Sequence, residues 1–347
     1  AISIAQALKT MHSDVEILFV GAQGKMEMKK VPEAGFEIVG LWINGLQRSI
    51  SLKNLMFPIK LLLSLIKSFQ LIRSFRPDVV VGVGGYASGP LLYMATLNKI
   101  PTLIQEQNSY AGLTNKWLSK SVSTICVAYE GMDKFFPKDK IVLTGNPVRK
   151  DIFQDSTQSK EAYAFFKLNP NKKTLLVIGG SLGAKSVNES ILSGLEQLWA
   201  ADTQLIWQTG GFYYTQIMSE MKTPWDERLR MYDFIKEMQY AYTIADVVVS
   251  RAGALSISEL MLSAKPSILI PSPNVAEDHQ KLNAQKLISG RAALMVPDAL
   301  AGTMLVKTAL SLLSDEEQQK ELGKNISAMG RPNAARDIAK KVIELAA

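Results

Sequence analysis

Leu175-Leu176-Val177-Ile178-Gly179-Gly180-Ser181-Leu182-Gly183-Ala184 passes from an aliphatic run through paired glycines into a helical pattern. The run reads as a buried strand, and the glycines as a tight turn at the start of a helix. Two further stretches share this form: Val79-Val80-Val81-Gly82-Val83-Gly84-Gly85-Tyr86-Ala87-Ser88-Gly89-Pro90 and Val247-Val248-Val249-Ser250-Arg251-Ala252-Gly253-Ala254-Leu255-Ser256. Strand, turn and helix N-terminus in this order point free backbone N–H groups outward, where the helix dipole favours negative charge. Glycine lets a phosphate approach the backbone closely. One such junction is weak evidence. Three, spread over both halves of the chain, predict a nucleotide-phosphate cleft between two α/β domains.

Working outward, the alternation continues. Expected strands cover 15–21, 36–41, 78–83, 102–106, 123–128 and 140–144, with helices over 52–75, 90–97 and 112–120. The second half repeats the scheme, with strands over 174–178, 204–208, 228–234, 246–250, 266–270 and 293–296. Its helices are expected over 185–199, 214–221, 255–262, 278–288 and 300–313. All-apolar strands in βαβ alternation imply parallel sheets covered on both faces. A boundary is expected at Asn146-Pro147-Val148-Arg149, giving domains 1–146 and 147–330. A last helix within 331–347 is expected to cross back to the first domain.

At 347 residues, two domains are the default. The single cysteine, Cys126, excludes an internal disulfide framework and fits a reducing compartment. With only His12 and His279 besides, a His/Cys metal site is not expected, and neither is a cofactor. A net charge of +7 suits an acidic partner. No basic–aromatic stripe supports a nucleic acid in that role. The chain enters a helical pattern directly at Ala1, with no visible signal peptide and no initiator Met. The uncharged stretch from Val79 to Asn98 is long enough to span a bilayer, but its Gly-Gly and Ser-Gly-Pro interior reads as strand, loop and helix.

Six segments now carry a resemblance. They are Gly82 to Pro90; Gln105-Glu106-Gln107-Asn108 with Ala111 to Leu118; Gly145-Asn146-Pro147-Val148-Arg149; Gly179 to Ala184; Ser250 to Glu259; and Asp278-His279-Gln280 with Asn283-Ala284. In this order the chain resembles the MurG family of bacterial peptidoglycan N-acetylglucosaminyltransferases. The resemblance implies the GT-B fold, two Rossmann-like domains with parallel sheets facing a cleft. It implies transfer of N-acetylglucosamine from UDP-N-acetylglucosamine to undecaprenyl-diphosphate-linked muramoyl-pentapeptide. This would occur with inversion, at the cytoplasmic face of the inner membrane and against its anionic surface. The first domain would take the acceptor and membrane, the second the UDP-sugar. In that family a strand and a Gly-Gly-Thr-Gly-Gly-His loop precede a helix of the Ala1–Leu8 type. The resemblance therefore puts the proposed catalytic base upstream of Ala1, with Glu106 the candidate inside the chain. A non-catalytic UDP-sugar-binding protein, or another GT-B enzyme such as a glycolipid synthase or a UDP-sugar epimerase, is the alternative.

The resemblance implies donor contacts from Asn108, Arg149, Ser181, Ile235, Ala254, Leu255, Ser256, Glu259, His279 and Gln280. It implies acceptor-diphosphate contacts from Gly84, Gly85 and Tyr86. Each has a plainer reading. Ser181 can be an N-cap and Ser256–Glu259 a capping box. Asn108 can support a turn, Arg149 can be a solvated surface charge, and the Ile235 side chain reads as core. His279 can be structural, and the Gly84–Gly85 turn can be set by the sheet alone. In the family reading, Glu259 takes the ribose diol, since a carboxylate accepts from both hydroxyls. The Ile235 backbone meets the uracil, and Gln280 and His279 meet sugar hydroxyls. The 52–75 helix is apolar around most of its circumference, with Lys53, Lys60 and Lys67 every seventh residue. It is expected to pack one flank on the sheet and offer another to anionic lipid, helped by Phe57, Phe69, Phe75 and Trp117.

Overall fold

The computed structural model describes residues 1–45, 56–149, 152, 159–180, 182–221, 226–275 and 278–347. They form two compact units, one of Ala1–Pro147 with Asn333–Ala347, the other of Val148–Pro332.

In the first unit, β1 (Leu18–Ala22) pairs in parallel with β2 (Glu37–Leu41). A second parallel sheet has the order β3 (Val80–Gly82), β4 (Thr102–Glu106), β5 (Thr124–Val127), β6 (Ile141–Leu143). The strand expected from residue 15 starts at Leu18, because the Val15 N–H turns back to the His12 carbonyl. Every residue of β4 is buried. The helices Ile2–Met11 and Ala334–Ala346 pack on each other, and their residues Ile4, Ala7, Ile338 and Ala339 share one apolar cluster with Leu103 and Cys126. Burial pushes the Cys126 thiol up to about 12.

The second unit holds one six-stranded parallel sheet. Its strands are β7 (Thr174–Ile178), β8 (Gln204–Gln208), β9 (Leu229–Tyr232), β10 (Val247–Ser250), β11 (Ser267–Leu269) and β12 (Leu294–Met295). Their spatial order is β12-β11-β10-β7-β8-β9. The chain therefore starts at the centre, builds outward through β8 and β9, then crosses over to β10 and builds outward on the other side. β7 and β10 are neighbours, with Leu175 opposite Val247. The strand order reverses between them, the switch point at whose carboxyl end open parallel sheets take ligands. The expected 185–199 helix is two helices, Lys185–Ser193 and Leu195–Ala200. They join at Gly194, where the Val306 side chain takes the place a Cβ would occupy.

The helix Phe57–Phe75 is inverted relative to an ordinary amphipathic helix. It buries Ser64, Ser68 and Ile72, one stripe at four-residue spacing. The helix Ser88–Leu97 packs against it, and Ser64 Oγ points at the Trp42 carbonyl, 3.4 Å away. Ile59, Leu62, Leu63, Ile66 and Phe69 are exposed. Lys60 points to Asn44, at 3.1 Å, and sits over the Trp42 ring. Lys53 lies outside the described residues. No described helix is long and apolar enough to cross a membrane.

Candidate functional site

In the second unit, five loops at the C-terminal ends of the strands are tied together by buried side chains. After β7, Gly179 and Gly180 turn the chain, Gly180 with φ +81°. A Cβ on Gly183 would collide with the Thr209 carbonyl, so this loop lies directly against the one after β8. The helix Lys185–Ser193 then begins with Ala184 as N-cap, which supplies no side-chain acceptor to the first-turn N–H groups. Ser181 lies outside the described residues. Asn188 fixes this helix by donating to the Thr209 carbonyl at 2.9 Å while accepting from Trp207 Nε1 at 3.1 Å.

Gln208 ends β8 and is 3% exposed. Its Nε2 donates to the Gly180 carbonyl at 3.3 Å, and its Oε1 accepts from the Ile235 N–H at 3.0 Å. One amide thus joins the loops after β7 and β9. The Ile235 side chain is core, as expected, and its N–H is paired within the protein, which leaves its carbonyl as the backbone group for a base.

After β10, Gly253 is the N-cap of the helix Ala254–Ser263. Ser256 is therefore the third helical residue and Glu259 lies a turn further on, so their spacing is not a capping box. Instead Glu259 Oε2 accepts from the Tyr242 hydroxyl at 3.0 Å. Burial and the Glu259 charge hold the Tyr242 phenol well above its ordinary value, while the Arg149 charge acts in the other direction. Arg149 is exposed, as is Leu255, and Ala254 is half-buried. The helix His279–Ser289 carries Gln280, whose Oε1 accepts from the Ser272 N–H at 2.9 Å in the loop after β11. Buried Asn283 of the same helix points its amide at the Ala252 carbonyl, 3.4 Å away.

In the first unit, Gly84 (φ +86°) and Gly85 (φ +81°) make the turn after β3. The Gly84 carbonyl accepts from Ser88 Oγ at 2.6 Å. Tyr86 is 53% exposed, with its ring packed where Gly45 leaves room. Glu106 ends β4 and is 3% exposed. Its carboxylate accepts from the Asn108 N–H at 3.1 Å, the Gly112 N–H at 2.9 Å and Asn115 Nδ2 at 2.8 Å. Glu106 is thus withdrawn from solvent and committed to holding the loop that bears Asn108. This corrects its candidacy as a catalytic base, which must reach a substrate proton. Asn146 extends the same lattice, accepting from Gln105 and donating to the Gln107 carbonyl.

Gln208, Tyr242 and Asp298 carry no functional signal in the sequence alone. Gln208 and Tyr242 sit in apolar surroundings that read as core, and their partners lie on other strands and helices. Asp298 binds Ser186 and Arg251, both far away in the chain.

Residues 1–127 match the glycosyltransferase family 28 N-terminal domain, and residues 174–342 match the glycosyltransferase family 28 C-terminal domain. A protein of Cytophaga hutchinsonii is 54% identical over 345 residues, covering 99% of this chain and 92% of that protein. A protein of Parabacteroides distasonis is 51% identical over 345 residues, covering 99% and 94%. Both are named UDP-N-acetylglucosamine--N-acetylmuramyl-(pentapeptide) pyrophosphoryl-undecaprenol N-acetylglucosamine transferase. The crystal structure of MurG from Acinetobacter baumannii superposes with a TM-score of 0.76 at 24% identity, over 99% of this chain and 96% of that one, which shows the shared GT-B fold. The chain is a glycosyltransferase and belongs to the UDP-N-acetylglucosamine--N-acetylmuramyl-(pentapeptide) pyrophosphoryl-undecaprenol N-acetylglucosamine transferase family, within glycosyltransferase family 28.

Proposed function

We propose that the protein moves N-acetylglucosamine from UDP-N-acetylglucosamine to the muramoyl 4-hydroxyl of an undecaprenyl-diphosphate-linked pentapeptide acceptor, with inversion at the anomeric carbon. The observation that carries this is 54% identity over 99% of the chain to a relative bearing that transferase name. The switch-point loops of the second unit supply the chemistry. The diphosphate of the donor lies at the Gly179–Gly180 turn and the start of the Lys185–Ser193 helix. Backbone N–H groups there take up the charge that grows on UDP as it leaves, with no reorganisation. Glu259 takes the ribose diol, Arg149 and the Ala254-Leu255-Ser256 turn flank it, and Gln280 and His279 meet sugar hydroxyls. Ile235 meets the uracil through its carbonyl. In the first unit, the Gly84-Gly85-Tyr86 turn faces the acceptor diphosphate.

The exposed face of the helix Phe57–Phe75 fits attachment to the membrane that carries such an acceptor. Each half-exposed Ile, Leu or Phe that enters lipid contributes on the order of 1 kcal/mol. Lys67 and Arg73, both exposed, lie on the same helix and favour an anionic leaflet. Peripheral attachment at the cytoplasmic face follows from a nucleotide-sugar donor and a lipid-linked acceptor.

The test is transfer of radiolabelled N-acetylglucosamine from its UDP donor into a butanol-extractable, undecaprenyl-linked, β-linked disaccharide. Label appearing in the lipid only when the muramoyl acceptor is supplied supports the reading. Conversion of the donor to a different UDP-sugar, with no lipid product, overturns it.

A further inference from the structure

Tyr242 is buried on the helix Met238–Ile244, in the connection that crosses the sheet from β9 to β10. A phenol hydroxyl withdrawn from water needs a hydrogen-bond partner, and this one donates to a carboxylate. Glu259 stands half-buried on the second turn of the helix that starts at the switch point. Left alone, a Glu side chain samples many rotamers and loses that freedom when it meets a ligand. The Tyr242 ring has two rotatable angles, both fixed by packing, so its hydroxyl is a rigid post. A carboxylate offers about four lone-pair sites, so accepting from a phenol at one oxygen is compatible with accepting from a vicinal diol as well.

We propose that Tyr242 is a positioning residue for donor recognition: its hydroxyl holds the Glu259 carboxylate in the orientation that reads the nucleotide ribose. The inference rests on the assignment of Glu259 to the ribose diol. Tyr242 touches no substrate. Because burial and Glu259 itself keep the phenol protonated, it acts as a fixed donor and not as a proton carrier. What it supplies is ribose discrimination: with the post in place, a nucleotide lacking the 2′-hydroxyl leaves an oriented carboxylate short of a donor.

The test is calorimetric titration of the full chain with UDP and with 2′-deoxy-UDP. The wild type should prefer UDP by about tenfold or more, the scale of one hydrogen bond to a charged group. Glu259→Ala should bind the two alike. Tyr242→Phe keeps the ring, and should reduce the preference by about three- to tenfold while leaving affinity for the deoxy nucleotide within about twofold. The double variant should match Glu259→Ala, since the hydroxyl acts only through the carboxylate. Should Tyr242→Phe fail to fold, the same change is made in Glu259→Gln, where the residue left facing the ring is neutral, and the preference should again fall. Full preference retained by Tyr242→Phe, or in that background unchanged by it, overturns the positioning role while the ribose assignment stands. Preference retained by Glu259→Ala overturns the ribose assignment and with it the inference.

Discussion

Arg251 and Asp298 form an ion pair that is largely withdrawn from water, with 13% of the Arg and 22% of the Asp side chain exposed. The guanidinium also donates to the Ile270 carbonyl at 3.1 Å and to Ser186 Oγ at 3.1 Å, and Ser186 donates to Asp298. One pair therefore joins the first turn of the Lys185–Ser193 helix, the loop after β10 and the end of β11. These elements lie at the carboxyl ends of the strands around the switch point. The Arg251 charge is neutralised by Asp298, so this residue is a strut between these loops.

Asp298→Ala should accordingly cost about 2–3 kcal/mol, somewhat below the range for breaking a fully buried pair because the carboxylate keeps some solvent. Urea unfolding measures it. Arg251→Lys should cost a similar amount, since an ammonium cannot span three fixed acceptors as a planar fork does. A loss under about 0.5 kcal/mol in both would place the loops' stability elsewhere.

Asp226 gives a pH signature. The Arg228 guanidinium, 2.7 Å away, holds its carboxyl below the ordinary value. The unfolded carboxyl titrates near pH 3.9, so the stabilisation is complete above that value and is lost as pH falls through the lower folded value. Asp226→Asn should cost about 0.5–1 kcal/mol at neutral pH, and the two stability curves should converge as pH falls below the unfolded value. A constant offset across that range would contradict the pairing.

Cys126 reports on the terminal helix. With its thiol pushed up to about 12, it carries little thiolate in the folded protein. At mildly alkaline pH that is about 10³-fold less than in a free cysteine, so labelling by a thiol reagent should be slow. Deleting residues 333–347 removes Ile338 and Ala339 from the cluster that covers it and should speed labelling by more than about tenfold. Equal rates would show that the helix does not protect this core.

The outward face of the helix Phe57–Phe75 makes a membrane prediction. Leu62→Glu with Ile66→Glu alters only exposed positions, so the fold should persist. Sedimentation with anionic vesicles should fall by at least about tenfold, as two apolar contacts become two like-charged repulsions. Binding should also weaken with salt. Unchanged sedimentation would remove this helix from the attachment surface.

Most of the parallel strands were legible as apolar runs closed by glycine or a polar turn, as Leu175–Ile178 and Val247–Val249 are, while Leu229–Tyr232 carries Arg230 and alternates in burial. Helices that carry little apolar contrast were not. Glu316–Ala328 is rich in charge and buries only Leu322, Gly323 and Ile326, and Met238–Ile244 is a single short crossover. In the site, the glycine turns were readable because φ near +80° demands glycine. The exchange of hydrogen bonds between distant elements was not. Gln208 bridging Gly180 to Ile235, and Glu106 gathering Asn108, Gly112 and Asn115, depend on which loops the sheet order brings together. Periodicity carries no record of that. The outward apolar stripe of Phe57–Phe75 was half-visible: the apolar content was plain, but that the buried stripe would be Ser64 and Ser68 was not.

The central claim is that the donor nucleotide is held at the β7–β10 switch point by Glu259. Calorimetry of UDP-N-acetylglucosamine with the wild type and with a folded Glu259→Ala variant tests it directly. The account predicts that the variant loses about 1.5–3 kcal/mol of binding free energy, the cost of removing one charge-assisted hydrogen-bonding group. Unchanged affinity in that variant, with its fold confirmed by circular dichroism, would contradict it.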